Sequence, residues 1–137
     1  MIVFIDTSTM VKRYIDEVGT STVEDLFRDI EQVIVSPVYM IEMNASITRR
    51  MNERIISKED AWHWRQKAKN DFNQFFQVPW SEELTGKAVR FASNFSIRAL
   101  DAIQLASACM SDTDVFVTSD KKLAQYAQKE MRRVIFI

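Results

Sequence analysis

Short apolar runs alternate along the chain with longer segments in which apolar residues recur every third or fourth position. The runs have the length of strands and show no polar alternation, which is typical of strands buried on both faces of a parallel sheet. They cover residues 2–5, 33–35, 75–78, 115–117 and 134–136. The pattern therefore predicts a sheet of about five buried strands.

The segments between the runs have the period of amphipathic helices. Val23, Leu26, Phe27 and Ile30, for example, stand at positions i, i+3, i+4 and i+7. Other helices are expected over residues 7–15, 36–52, 57–72, 81–95, 98–110 and 121–129, with a proline at the first position of the 36–52 helix. Strands that alternate with helices predict an α/β fold, a three-layer α/β/α sandwich with a parallel sheet. We expect one domain over residues 1–137.

Composition narrows the class of protein. The net charge is −1, so binding to a polyanion must rely on a local patch or on bound cations. The only cysteine, Cys109, excludes an internal disulfide and fits a reducing compartment. No apolar run is long enough to cross a membrane, and Asp6 follows the first run at once, without the basic segment of a signal peptide. We expect a cytoplasmic protein with no membrane partner.

Acidic residues recur where the predicted strands end. Asp6 follows the first strand and Asp120 follows the fourth, while Glu42 lies in the first turns of the helix after the second. Because the carboxyl ends of parallel strands share one edge of a sheet, these side chains should lie close together. The alternative for Asp6 and Asp120 is a helix N-cap, and for Glu42 a surface position near a helix N-terminus.

Asp101 lies in a helix that is apolar around most of its circumference. A buried carboxylate costs several kcal/mol unless a positive or hydrogen-bonding group satisfies it. One explanation is an ion pair with Arg98, one turn earlier. The other is that Asp101 points to the same sheet edge as Asp6, Glu42 and Asp120.

A shared pocket of these carboxylates would need compensation, because like charges repel and some groups would stay protonated. One or two divalent cations would supply it. Oxygen ligands without histidine or cysteine favour Mg²⁺ or Mn²⁺, which serve phosphodiester hydrolysis. Hydroxyl groups next to the acids would orient metal-bound waters: Thr7, Ser8, Thr118 and Ser119.

The ordered set of these motifs resembles the PIN-domain ribonucleases, in particular the VapC-like toxins of type II toxin–antitoxin pairs. The matching segments are residues 5–8, 36–42, 98–106 and 117–120. The resemblance implies a PIN fold, a metal-dependent endoribonuclease, and an acidic metal site of Asp6, Glu42, Asp101 and Asp120. It also implies a cognate antitoxin that blocks the site, and a homodimer. Gln104 is a departure, since many relatives have histidine there, but it is not an acidic ligand.

Two alternatives remain open: a PIN-fold interaction module without nuclease activity, and an RNA-processing nuclease without an antitoxin. Candidates for contact with RNA phosphates are Arg98, Lys121 and Lys122, which adjoin the acids in sequence. For the other basic residues a solvated helix face is favoured: Lys12, Arg13, Arg49, Arg50 and Arg54.

Overall fold

A single parallel sheet forms the centre of the computed structural model, which describes residues 1–137. Its strands are β1 (Ile2–Ile5), β2 (Gln32–Val35), β3 (Phe76–Gln77), β4 (Val115–Thr118) and β5 (Val134–Phe136). They lie side by side in the order β3-β2-β1-β4-β5, and every neighbouring pair is parallel. The central strand is thus β1, and the chain that leaves it at Asp6 enters the middle of the sheet's carboxyl edge.

Helices cover both faces of the sheet. They are α1 (Thr7–Met10), which continues as a short 3₁₀ turn (Val11–Arg13), α2 (Thr20–Phe27), α3 (Tyr39–Asn52), α4 (Lys58–Phe72), α5 (Glu82–Asn94), α6 (Ala99–Met110) and α7 (Lys121–Glu130). None of them combines the length and the apolar character that crossing a membrane requires.

Two separate cores lie on the two faces, because successive side chains of a strand point in opposite directions. On one face, Val3 and Ile5 pack with Tyr39 and Met43 of α3. On the other, Phe4 belongs to a core with apolar residues of α5, α6 and α7: Leu84, Leu105 and Leu123. These layers confirm the predicted α/β/α sandwich.

Helix α2 ends at Phe27, before Ile30, and the element boundaries differ from the predicted ones in three further places. Helix α3 begins at Tyr39, not at residues 36–37, because the Ser36 hydroxyl accepts a hydrogen bond from the amide of Val38 (3.3 Å) and holds a turn around Pro37. Strand β3 has only two residues, since it is an edge strand that Pro79 soon ends. The first helix is a single α turn that tightens into the 3₁₀ turn instead of continuing to residue 15.

Candidate active site

A cleft of about 660 Å³ lies at the carboxyl edge of the sheet. Its lining includes all of the acids predicted from the sequence: Asp6, Glu42, Asp101 and Asp120. Thr7, Ser8, Ser119 and Arg98 also line it. The chain thus brings together carboxylates that are separated by up to 114 positions in sequence, because β1 and β4 are neighbours and α3 and α6 begin on either side of them.

Asp6 is the most buried of these acids, with 4% of its surface exposed. It stands at the N-cap position of α1, but its side chain makes no capping hydrogen bond. Instead, its Oδ2 atom accepts hydrogen bonds from the hydroxyls of Ser8 (2.5 Å) and Thr118 (2.7 Å). Burial raises the pKa of Asp6, and these two hydrogen bonds oppose the rise. The Oδ1 atom has no hydrogen-bond partner and is available to a ligand.

Glu42 is held from the opposite side by α6. Its Oε1 atom accepts a hydrogen bond from the Gln104 amide at 2.5 Å and a longer one, 3.5 Å, from the Thr7 hydroxyl. Burial raises the pKa of Glu42 to about 7, and the bond from Gln104 opposes that rise. Gln104 is itself fully buried, and its own carbonyl oxygen has no hydrogen-bond partner. A buried amide with one unsatisfied end is costly, so its donation to Glu42 accounts for its presence in an apolar helix.

Arg98 pairs with the two remaining acids. Its Nε atom lies 3.4 Å from Oδ2 of Asp101, and its Nη2 atom lies 3.9 Å from Oδ2 of Asp120. Burial raises the pKa of Asp101, and the positive charge of Arg98 lowers it. The arginine side chain is 83% exposed, so these ion pairs are weak and easily replaced. The Arg98–Asp101 pair expected as the alternative is therefore present, but the cleft beside it is open.

Asp120 has a structural role as well. Its Oδ1 atom accepts a hydrogen bond from the backbone amide of Leu123 (2.9 Å) and caps helix α7. The N-cap interpretation of the sequence is thus correct for one oxygen of Asp120. The other oxygen faces the cleft and Arg98.

The donor set fits a hard divalent cation. In each carboxylate one oxygen is fixed by the protein: by hydroxyls in Asp6, by the Gln104 amide in Glu42, by Arg98 in Asp101 and by a backbone amide in Asp120. The second oxygen in each case accepts no hydrogen bond. Such half-satisfied carboxylates, without histidine or cysteine, suit Mg²⁺ or Mn²⁺. No three of them converge closely enough to enclose an ion, as expected for like charges of which two are drawn towards Arg98.

The hydroxyl groups and the lysines predicted to support the site differ in position. Ser8, Thr118 and Thr7 touch Asp6 or Glu42, and the Ser119 hydroxyl lies 3.0 Å from that of Thr9 at the rim of the cleft. Lys121 and Lys122 are exposed and do not line the cleft, although the charge of Lys122 lowers the pKa of Asp101. Of the basic residues that adjoin the acids in sequence, only Arg98 is in the cleft.

Sequence reasoning missed part of the cleft wall. One face of α3 runs along it from Glu42 through Ala45 and Ser46 to Arg49 and Arg50. The signal was present as the spacing i, i+3, i+4, i+7 and i+8 from Glu42, which places these residues on one helix face. Gln104 was also given no role, although it stands three residues after Asp101 in an apolar helix.

The fold and the site together define a class of protein: an α/β/α domain with an acidic cleft at the carboxyl end of its central strands. The family model of the PIN domain matches residues 3–129. The chain therefore belongs to the PIN domain family, which confirms the resemblance inferred from the sequence. No curated protein sequence matches the chain.

Three solved structures share this fold, and one of them is named as a toxin–antitoxin complex. FitAcB from Neisseria gonorrhoeae has a TM-score of 0.71 at 13% identity, with 97% of this chain and 96% of that chain covered. VapBC2 from Rickettsia felis, bound to a DNA fragment from its promoter, has a TM-score of 0.67 at 14% identity, with 100% and 99% covered. A toxin–antitoxin complex from Klebsiella pneumoniae has a TM-score of 0.67 at 16% identity, with 89% and 90% covered.

Proposed function

We propose that this PIN domain is a Mg²⁺- or Mn²⁺-dependent endoribonuclease, and that it is the toxin of a toxin–antitoxin pair in the cytoplasm. The observation that carries the nuclease proposal is the set of half-satisfied carboxylates in one open cleft. Its members are Asp6, Glu42, Asp101 and Asp120. These residues would hold one or two ions, which when bound would lower the pKa of an attacking water and stabilise the leaving oxygen of the phosphodiester.

The protein's own groups orient the ligands. Hydrogen bonds from Ser8 and Thr118 fix one oxygen of Asp6, so that its other oxygen has a defined direction. Gln104 does the same for Glu42 from the far wall. Arg98, exposed at the mouth of the cleft, is the cation that a phosphate of the substrate can take over from Asp101 and Asp120.

The toxin proposal has separate support. One structure of similar fold is named as a toxin–antitoxin complex, and the match covers 90% of that chain. An antitoxin that covers the cleft, and a homodimer, belong to this proposal. Co-purification with the product of the neighbouring reading frame tests it: a small partner that suppresses RNA cleavage is expected. A protein that purifies alone, and whose cleavage no neighbouring product inhibits, would contradict it.

The nuclease proposal is tested with total RNA and purified protein. Cleavage is expected in Mg²⁺ or Mn²⁺ and is expected to stop in EDTA and in the Asp101→Asn variant. Asp25→Asn is the matched control, because it makes the same chemical change at an exposed ion pair with Arg28, outside the cleft. A folded Asp101→Asn protein that cuts RNA as fast as the control would show that the acidic cleft is not the active site.

A further inference from the structure

The far end of the cleft contains a half-buried arginine, Arg50, whose only ion-pair partner is the carboxylate of Glu17. Arg50 lies two turns along α3 from Glu42, about 12 Å along the helix axis, and its side chain is 16% exposed. Its Nε and Nη2 atoms both face Glu17, with the shortest distance 3.2 Å between Nη2 and Oε2. Its Nη1 atom donates to the carbonyl of Ser46 (3.3 Å). The arginine is thus held in place with its fork turned to one anion.

Glu17 comes from a loop between the 3₁₀ turn and α2, and this loop is fixed at several points. The Glu17 amide donates to the Thr20 hydroxyl (3.0 Å), and Lys12 donates to the carbonyl of Val18 (2.6 Å). Gly19 has φ +98°, and a Cβ there would lie 2.9 Å from a side-chain carbon of Ile137. The glutamate is therefore presented to Arg50 by a defined turn, and its Oε1 atom also lies 3.6 Å from the Lys12 ammonium nitrogen.

The chemistry of this pair matches phosphate recognition. A guanidinium fork binds a carboxylate and a phosphate through the same pair of parallel hydrogen bonds. Arg49, next along α3, is exposed in the same cleft and forms no ion pair. Between these arginines and Glu42 the cleft wall consists of the small residues Ala45 and Ser46, which leave room for a strand of nucleic acid.

We propose that Arg49 and Arg50 bind a phosphate of the RNA strand away from the bond that is cut, and that Glu17 occupies the place of this phosphate at Arg50 until RNA displaces it. The proposal rests on the nuclease function proposed above and adds a second contact for the substrate. Because the separation from Glu42 is greater than one phosphate can bridge, the bound RNA must extend over more than one nucleotide.

The test measures binding of a short, fluorescein-labelled, single-stranded RNA of mixed sequence by anisotropy at several salt concentrations. All variants are made in the Asp6→Asn background, so that cleavage does not consume the probe. Glu17→Gln is expected to bind roughly three- to tenfold more tightly with an unchanged slope of log K against log salt, because Arg50 contacts the phosphate in both proteins. Arg50→Gln is expected to weaken binding and to flatten the plot by about 0.7, the value for one phosphate contact on a single strand.

Two matched controls separate local from global charge. Glu31→Gln is the control for Glu17→Gln, since Glu31 is an exposed glutamate that pairs with the N-terminal amine. Arg28→Gln is the control for Arg50→Gln, since Arg28 is an exposed arginine that pairs with Asp25. Both residues lie outside the cleft, so neither variant should change the affinity for RNA or its salt dependence. Equal effects in the controls would attribute the result to net charge and overturn the proposal.

Other outcomes also decide. Unchanged binding in both Glu17→Gln and Arg50→Gln, with normal melting curves, would make the pair a structural brace of the loop and overturn the proposal. If Glu17→Gln binds poly-glutamate more tightly than the parent does but binds RNA no more tightly, the arginines would be assigned to an acidic protein partner. That result would also overturn the proposal. If Glu17→Gln does not fold, comparing the RNA affinity and salt dependence of Arg50→Gln with those of Arg28→Gln still tests the proposal. Failure of the unmodified protein to cleave RNA would refute the nuclease function itself, which is a separate result.

Discussion

Acidic residues lie at both ends of the parallel sheet, and the two ends use them differently. At the amino end, Asp114 accepts a hydrogen bond from the backbone amide of Ile2 (2.7 Å), and Glu31 pairs with the N-terminal amine (2.7 Å). Both are exposed. At the carboxyl end, Asp6 and Glu42 are withdrawn from water, and burial raises the pKa of each.

The difference shows which acidic residues lower the stability of the folded chain. Exposed acids at the amino end satisfy the chain's own donors, and water solvates their remaining oxygens. Acids at the carboxyl end keep one oxygen without a hydrogen bond, and the burial of Asp6 and Glu42 penalises their charged forms. Under the proposed function a bound cation would offset this cost, so the contrast predicts different consequences when acids at the two ends are replaced. The variants below test it, beginning with the largest expected effect.

The first comparison uses the same substitution at the two ends. Asp6→Asn is expected to reduce RNA cleavage by at least about 100-fold, since losing a ligand should cost no less than losing a ligand's hydrogen-bond partner. Asp114→Asn is expected to change the rate less than about twofold, because the amide oxygen can still accept the bond from Ile2. Initial cleavage rates on total RNA in Mn²⁺ provide the measurement. Equal rates in the two variants would remove the distinction between the ends.

Gln104 sharpens the comparison within the carboxyl end. Gln104→Leu removes the bond that orients Glu42, and it is expected to lower Mn²⁺ affinity and the cleavage rate by about 10- to 100-fold. Gln104→His, which retains an N–H donor, is expected to keep most of the Mn²⁺ affinity and most of the cleavage rate. Mn²⁺ affinity, measured by electron paramagnetic resonance, provides a readout apart from activity. If leucine and histidine have the same effect, the residue contributes packing and not orientation.

Stability should change in the opposite direction to activity. Because burial penalises the charged form of Asp6, Asp6→Asn is expected to stabilise the metal-free protein by about 1 to 2 kcal/mol. That corresponds to a melting temperature higher by roughly 3–6 °C. Asp114→Asn should not raise it. Thermal unfolding in EDTA measures both, and a lower melting temperature for Asp6→Asn would contradict the claim that its charge is a cost.

The smallest expected effect is on the pH dependence of stability. The pKa of Glu42 is about 7 in the folded chain, above its ordinary value of 4.5. The folded state therefore retains a proton that the unfolded state loses, and the stability from this group, full below pH 4.5, is lost as the pH rises to 7. Since Glu42 is partly exposed, the loss is expected to be roughly 1 kcal/mol.

Urea unfolding in EDTA at pH 5 and pH 7.5 measures this loss. The free energy of unfolding should fall less between pH 5 and pH 7.5 in Glu42→Gln than in the parent protein. Glu31→Gln, with the same change at an exposed site, should decline as the parent does. Equal declines in all three proteins would show that Glu42 titrates as an ordinary surface glutamate.

The pattern of the sequence by itself determined the layers and predicted which acids would lie together in the cleft. Uninterrupted apolar strands such as Ile2–Ile5 can only be buried on both faces, so the parallel α/β sandwich followed. Asp6 and Asp120 were placed correctly because the end of a strand is a local feature. Helix starts near Pro37 were less accurate, since the hydrogen bond from Val38 to Ser36 depends on the backbone path.

Only the tertiary structure decided which groups act on those acids. The strand order puts Thr118 of β4 against Asp6 of β1, and α3 and α6, which belong to opposite cores, bring Glu42 and the Gln104 amide together at the carboxyl edge of the sheet. The meeting of Arg50 with Glu17 depends on a loop whose turn centres on Gly19. Such contacts join residues that are 33 to 112 positions apart, so no spacing in the sequence encodes them. Strand order, helix packing and loop geometry determine them together.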